Sequence, residues 1–491
     1  EIHAGQPFLD GFRPALLTAG LYHPDGQIQD EVYVWGSLLQ SKMHQAGITC
    51  SDCHDPHAAD QRLPGDGVCY QCHLPDRYAT KEHHFHPEAS TGASCVECHM
   101  PPTNYMVVDA RHDHSFRVPR PDQSVALGTP NACNKCHADQ STQWAADQVE
   151  TWYGGPAEGF EHYAPALHAA RAQLPEAGRL LQQIAADAGQ PVIVRATALQ
   201  ALGAYPDAAM LALVQQGLAA ADPLERLGAL EALQSLGQGQ RLLAVSLLWD
   251  DLKAVRIEAA RLLAFAPEEQ LPEPVRAQRA QAIQEYVAVQ ELNAERPEAQ
   301  VNLGILYADQ GRYQDAELAY RKAIKLQRRF IPAYVNLAQI LSQRGREKEV
   351  GGLLGQGLEI HPDSADLHHA LGLSLIRQKR PDEAVTELAE AAALAPENTR
   401  YGYVYAVALQ SSGKVAEAIA VLEAVHQRRP GDIDTLSALI AYHREAGEPK
   451  PALGYARKLE QLAPGNPSVA RLVRALEAAT ERTAPSTPES P

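Results

Sequence analysis

Eight cysteines fall within the first 136 of 491 residues, and all of them follow one spacing. Cys50/Cys53, Cys69/Cys72, Cys95/Cys98 and Cys133/Cys136 each enclose two residues, and each pair is followed at once by a histidine: His54, His73, His99 and His137. The pattern CxxCH is the attachment sequence of c-type haem. Two thioethers must reach the two vinyl groups on one porphyrin edge, and the adjacent histidine must swing beneath the ring to bind iron. A zinc ribbon could be built from the first two pairs, but zinc does not require a histidine after every second cysteine. At a local histidine frequency of about one in ten, four such coincidences have a chance on the order of 10⁻⁴. Disulfides fit the even count yet explain neither the identical spacing nor the histidines. Four haem c groups with their iron are therefore expected, held by the eight cysteines, with His54, His73, His99 and His137 as proximal ligands.

Nine other histidines lie in the same segment: His3, His23, His44, His57, His83, His84, His86, His112 and His114. A histidine on a water-facing surface is usually just solvated, but short linkers this dense in imidazole are hard to explain as ordinary surface. His57 in "CHDPH" is too close to Cys53 to reach the far side of its own haem, so it is expected to serve a neighbour. "HHFHPEASTGASCVECH" offers His83, His84 and His86, of which His86 is favoured with His84 in reserve, and "RHDHSF" offers His112 or His114, of which His114 is favoured with His112 in reserve. His44, near the end of an expected helix "DEVYVWGSLLQSKMH", completes the distal set. Met43, Met100 and Met106 are the rival ligands, and Met ligation would raise the potential relative to His/His. Met100 follows the proximal His99 directly and cannot cross to that haem's other face, so its expected role is packing. Full His/His ligation predicts low-spin irons with potentials on the low side.

Composition divides the chain. Thirteen of the twenty histidines and three of the four methionines lie in residues 1–140, whereas the remainder is dominated by Ala, Leu, Gln and Glu. Four haems in so short a segment would have to make up most of its core, so long regular elements are not expected there. The net charge is −17, and residues 1–150 hold nine Lys/Arg against nineteen Asp/Glu. That balance disfavours nucleic acid and anionic membranes, and favours a redox partner protein with a basic or neutral docking face. No apolar run approaches a membrane span. Covalent haem is attached outside the cytoplasm, so a bacterial periplasmic or extracellular location is expected, with the signal peptide already absent.

Beyond about residue 160 the pattern becomes repetitive. "PVIVRATALQALG", "DPLERLGALEALQSLG" and "DLKAVRIEAARLLA" align on Arg195, Arg226 and Arg256, each a turn-like start followed by an apolar helical stripe. These look like HEAT-type helical pairs, in which the arginine bonds neighbouring turns. After Pro274 the period is 34: Gly304, Ala338, Gly372 and Ala406 recur, as do Ala316, Ala384, Ala418 and Ala452, with Val350 filling the gap. Pro362, Pro396, Pro430 and Pro464 close successive units, and "AQVNLGILYADQGRYQDAELAYRKAIKL" matches the tetratricopeptide pattern. Such stacks bind proteins in a concave groove or support an attached domain. The expected fold is mostly α: an irregular, haem-packed N-terminal domain over 1–159, HEAT-like repeats over 160–272, tetratricopeptide repeats over 273–476, and a disordered tail over 477–491.

Taken together, "GITCSDCHDPH", "HHFHPEASTGASCVECHMPPTNYMVVDARHDHSFRVPRPD", "LGTPNACNKCHADQSTQWAADQVETWYG" and the repeats behind them resemble the tetratricopeptide-containing multihaem cytochromes c of bacterial respiration. The haem part is similar to the tetrahaem cytochromes of ammonia oxidation, and the likeness covers nearly the whole chain. It implies electron transfer through closely spaced haems, with the CxxCH histidines proximal and His57, His86 and His114 distal. Relatives of this kind often carry further haem motifs before "FLDGFRPALLTAGLYHPDGQIQDEVYVWGS", so a catalytic haem there would leave this chain as a carrier. Three functions compete: an electron carrier with a docking or assembly scaffold, a multihaem oxidoreductase acting on a small nitrogen or sulfur species, and a self-assembling extracellular conduit. The carrier, rather than an enzyme, is the expectation. The intact mass is expected to equal the polypeptide plus four haem groups, with haem stain surviving a denaturing gel. A bare polypeptide mass, or zinc in place of iron, would contradict this.

Overall fold

The computed structural model describes residues 5–155, 161–463 and 465–483. His3 and Pro464 lie outside them, as do residues 484–491. The chain is mostly helical and divides into two compact units, Glu1–Arg171 with Ala177–Ala259, and Ala172–Glu176 with Ala260–Pro491. The first unit thus takes in both the cysteine segment and most of the first repeat set, rather than dividing near residue 160.

In the first unit, helices Ala164–Arg171, Ala177–Ala186, Val192–Leu202, Ala208–Leu218 and Pro223–Gln234 stack through alanine- and leucine-rich faces. The three aligned arginines form a ladder along this stack. Arg195 donates to the carbonyl of Gln190 at 2.9 Å, in the turn before its own helix, and to Glu225 of the next repeat at 2.9 Å. Arg226 repeats the arrangement with Ala220 O at 2.8 Å and Asp250 at 2.7 Å, and Arg256 donates to Asp251 O at 2.9 Å. Each guanidinium satisfies carbonyls of the preceding turn, and the first two also tie one repeat to the next. The N-terminal segment docks on the same stack. Leu16, Leu17, Tyr22, Ile28, Leu38 and Leu39 are buried. The Leu17 N–H donates to Thr197 Oγ1 at 3.0 Å, Arg171 donates to Leu17 O and Tyr22 O at 2.8 and 2.7 Å, and Arg13 pairs with Glu258 at 2.7 Å.

The helix expected over "DEVYVWGSLLQSKMH" is two short helices, Val34–Leu38 and Lys42–Gln45. Ser41 stands between them in extended conformation, and its hydroxyl accepts the His44 N–H at 3.0 Å, capping the second helix. From Lys42 to Met100 no residue is buried. Short helical turns succeed one another there, and the one β-hairpin among the described residues, Pro102–Tyr105 with Asp109–His112, follows.

The second unit is a regular array of antiparallel pairs: Pro297–Asp309 with Tyr313–Leu326, Ile331–Gln343 with Glu347–Ile360, Ala365–Arg377 with Pro381–Leu394, Thr399–Ser411 with Val415–Arg428, and Ile433–Glu445 with Pro449–Leu462. The 34-residue periodicity explains the contacts. Ala316, Ala384, Ala418, Ala452 and Val350 are fully buried, and a Cβ on Gly304 would overlap the Tyr320 ring. Helices end at Ile360, Leu394 and Arg428, each two residues before Pro362, Pro396 or Pro430. The expected tail instead begins as helix: Pro467–Thr483 is continuous, and Val473 and Leu476 pack on the last pair. Its apolar stripe covers a face that the array would otherwise expose.

Between paired helices the chain turns through positive φ at Gly311, Gly345, Gly413 and Gly447, but Lys379 occupies the equivalent slot at φ 60°. A side chain there costs about 1 kcal/mol or more. Lys379→Gly is therefore expected to raise stability by up to about 1 kcal/mol once the flexibility of glycine in the unfolded chain is offset, and Gly345→Ala to lower it by about as much. Chemical denaturation midpoints of the two variants check the opposite signs.

Candidate functional site

Each cysteine motif folds as a single helical turn. The histidine N–H donates to the first cysteine's carbonyl at 2.9 Å for His54, 3.0 Å for His73 and 2.9 Å for His137, and Cys95–His99 is a helix throughout. Cysteines three apart on such a turn share a face, with the histidine directly beyond them. Local caps hold the turns. Asp52 accepts the Thr49 N–H at 2.7 Å, and Asp66, just before the second motif, accepts the Cys95 N–H at 3.1 Å at the start of the third. The hydrogen bonds from Thr49 hold the Asp52 carboxyl below its usual range, and those from Ala58 and His57 do the same for Asp55. Both acids thus serve as backbone acceptors.

The motifs also neighbour one another in sequence order. Cys69 and Cys95 are neighbours, and their interaction pushes the Cys69 thiol up and the Cys95 thiol down. Burial, then the neighbouring Cys133 and Cys136, pushes Cys98 up to about 11, and Cys53 is raised by burial with Cys72 among the contributing charges.

Three of the four CxxCH imidazoles stand opposite a second histidine. Ring centroids are 6.3 Å apart for His54 and His114, 6.0 Å for His99 and His83, and 6.1 Å for His137 and His86. Each of the three pairs would hold one haem iron between its two imidazoles. Several of these rings are oriented from behind through Nδ1. His54 bonds Ala59 O at 2.8 Å, His99 bonds Arg117 O at 2.6 Å, His114 bonds His112 O at 2.8 Å, and His86 bonds His84 O. A carbonyl partner selects the Nδ1–H tautomer and leaves the Nε2 lone pair for a metal. Burial lowers the pKa of His83 and of His114, which favours the neutral, ligating form.

The facing partners differ in part from the expected distal set. His114 and His86 each face a CxxCH ring. His83, passed over in favour of its neighbours, stands against His99. His57 has a side chain 95% exposed, since Asp55 turns its backbone outward by accepting the His57 N–H at 2.9 Å. His44 makes no ring contact among the described residues and sits in the short helix set by Ser41. Of the reserves, His112 bonds Met100 O at 2.7 Å through Nδ1, and His84 Nδ1 accepts the His86 N–H at 3.2 Å. His73 has the edge of Tyr78 at 5.5 Å. Nothing in the spacing of "HHFH" singles out His83, because the reversal at Phe85 that separates it from His86 lies against Trp152 of a distant helix.

These residues fit covalent haem. Thiol pairs lie on single turns, imidazoles stand in pairs, and the polypeptide around them buries none of its own side chains from Lys42 to Met100.

With fold and site described, the chain can be set beside known proteins. Family models of the tetratricopeptide repeat match residues 297–330 and 375–441. Solved structures similar to part of the chain include YrrB, described as a TPR protein with an unusual peptide-binding site, at 21% identity over 38% of this chain and 97% of that one, TM-score 0.30. TTC0263, a TPR protein of Thermus thermophilus, gives 18% identity over 37% and 99%, TM-score 0.29, and PilF of Pseudomonas aeruginosa 20% over 39% and 93%, TM-score 0.32. No curated protein matches the chain. The chain is a helical-repeat protein. Its second unit carries tetratricopeptide repeats, a scaffold for protein docking or assembly.

In the haem-loaded protein, His83→Ala is expected to convert one low-spin iron to high-spin in the electron paramagnetic resonance spectrum. His57→Ala is expected to leave the spectrum unchanged. The reverse result would restore the assignment of His57 as an axial ligand.

Proposed function

We propose that the chain is an electron-transfer protein of the bacterial periplasm or cell exterior, with four haem c groups joined to the cysteine pairs and the repeat units as a docking or assembly scaffold. The observation that carries the proposal is the set of facing histidine pairs at 6.0–6.3 Å, each joining a CxxCH histidine to one from elsewhere in the segment. When bound, haem supplies one-electron redox chemistry at a potential set by its axial ligands. The chain's own residues do the rest. The helical turns present both thiols to one edge, and backbone carbonyls fix the imidazole tautomers. Two imidazoles held in place would hold the group fixed and limit reorganisation when it changes charge. The closeness of successive cysteine pairs sets the motifs in a chain suited to passing charge. The acidic balance of residues 1–150 favours a basic or neutral redox partner.

A second reading, a multihaem oxidoreductase acting on a small nitrogen or sulfur species, is favoured by one observation: Tyr78, rather than a histidine, lies against His73. Resonance spectroscopy of the oxidised protein separates the two. The carrier is expected to show low-spin irons, no turnover of nitrite or hydroxylamine, and electron exchange with a basic cytochrome that slows as salt is raised. A high-spin signal of one haem per chain, altered by an added small ligand, would decide for the enzyme.

A further inference from the structure

The two facing histidines nearest in sequence, His83 and His86, serve different CxxCH partners, yet they lie on one short loop. The helix Lys81–His84 ends at Phe85, which adopts left-handed φ 55°. This reversal swings His86 away from His83, so that His83 faces His99 while His86 faces His137. A bulky aromatic residue rarely holds such a backbone conformation unless its surroundings fix it. Here the fixing group is the end of the Thr142–Tyr153 helix. The Phe85 ring lies parallel on the Trp152 indole, with centroids 4.7 Å apart and planes 4° from parallel, and it also meets the Tyr153 ring at 5.7 Å and 79°.

The same helix end touches both ligands. Trp152 meets the His86 imidazole edge-on at 6.1 Å, and the Tyr153 hydroxyl donates to the His83 carbonyl. His86 also lies over Gly92, where a Cβ would overlap its imidazole. The third facing histidine is held differently: His114 is oriented locally, through His112 O.

We propose that the Phe85–Trp152 stack is a shared clamp that positions the distal ligands of two irons, His83 for the iron of His99 and His86 for the iron of His137. The inference rests on the haem reading above. Phe85 and Trp152 are positioning residues, since neither side chain carries a donor for iron. Their effect is to keep the reversed turn closed, so that both imidazoles stay at ligating distance together. Loosening the stack opens two irons at once, whereas removing either histidine opens one.

The test uses the full haem-loaded chain, with haem content by intact mass, low-spin signals by electron paramagnetic resonance, and carbon monoxide bound per chain by the reduced protein. Trp152→Ala is expected to retain four haems, alter two low-spin signals and bind two more carbon monoxide molecules per chain than the parent. Trp152→Phe, which keeps a stacking ring, is expected to restore the parent spectrum. His83→Ala, His86→Ala and Gly92→Ala are each expected to affect one iron. Phe85→Leu tests the clamp from the other side and predicts the same two-iron change, which covers the case in which Trp152→Ala fails to fold. With four haems retained, an unchanged spectrum and stoichiometry in Trp152→Ala and Phe85→Leu, or a change confined to one iron, overturns the clamp. A parent protein without covalent haem overturns the haem reading instead.

Discussion

A polypeptide that buries none of its side chains from Lys42 to Met100 cannot be held in place by its own apolar contacts. Ordinary domains of this size depend on such burial to offset the entropy of ordering the chain. Here the order is carried by a capping box at Thr49, Asp66 reaching to the third motif, Nδ1–carbonyl bonds behind the imidazoles, and the Phe85 ring stacked on Trp152. These are individually weak, about 1 kcal/mol each. Everything else in the first unit follows from that arrangement. The flanking residues 5–41 and the helical stack have an apolar core of their own, and the cysteine segment hangs from it.

The anchor between the two is polar. Arg117 is buried and donates to Asp25 O at 2.6 Å, to Gln40 at 3.1 Å and to Asp113 at 3.3 Å. Tyr163 adds bonds to Asp25 O and Gln40, both at 2.8 Å. A buried guanidinium engaged on several sides is costly to rearrange, because breaking one partner leaves a charge uncompensated in low dielectric. The Arg117 backbone, in turn, brackets His99: its N–H donates to His99 O at 2.9 Å and its carbonyl accepts from His99 Nδ1. The position of one CxxCH imidazole is thereby tied to the packing of the helical stack.

The second unit obeys a different constraint. Each helix pair covers its neighbour, so small residues at fixed intervals decide how closely backbones approach, and the array needs a closing helix rather than a cofactor. Gly372 against Leu388 and Gly357 against Leu367 are examples of approaches that larger residues would block. A scaffold of this kind can carry a partner surface without taking part in redox chemistry.

The residue types, their counts and their spacing were sufficient for the 34-residue array and the arginine ladder, because each depends on contacts within a few turns or between adjacent repeats. His86 and His114 stood out for a similar reason: they lie in linkers crowded with imidazole. Pairing was not legible. His83 and His86 are three residues apart, and only the left-handed turn at Phe85, stabilised by Trp152 from a helix much further along the chain, decides that they face different partners. His57 looked equally apt by spacing, but the Asp55 turn points it to solvent. Where the compact units divide was likewise a tertiary outcome, since the docking of Leu17 on Thr197 and of Arg13 on Glu258 joins segments 180 and 245 residues apart. Spacing along the chain encodes what one turn or one repeat can do. Which face meets which across long loops is set by the sum of distant packing contacts, and no local pattern records that sum.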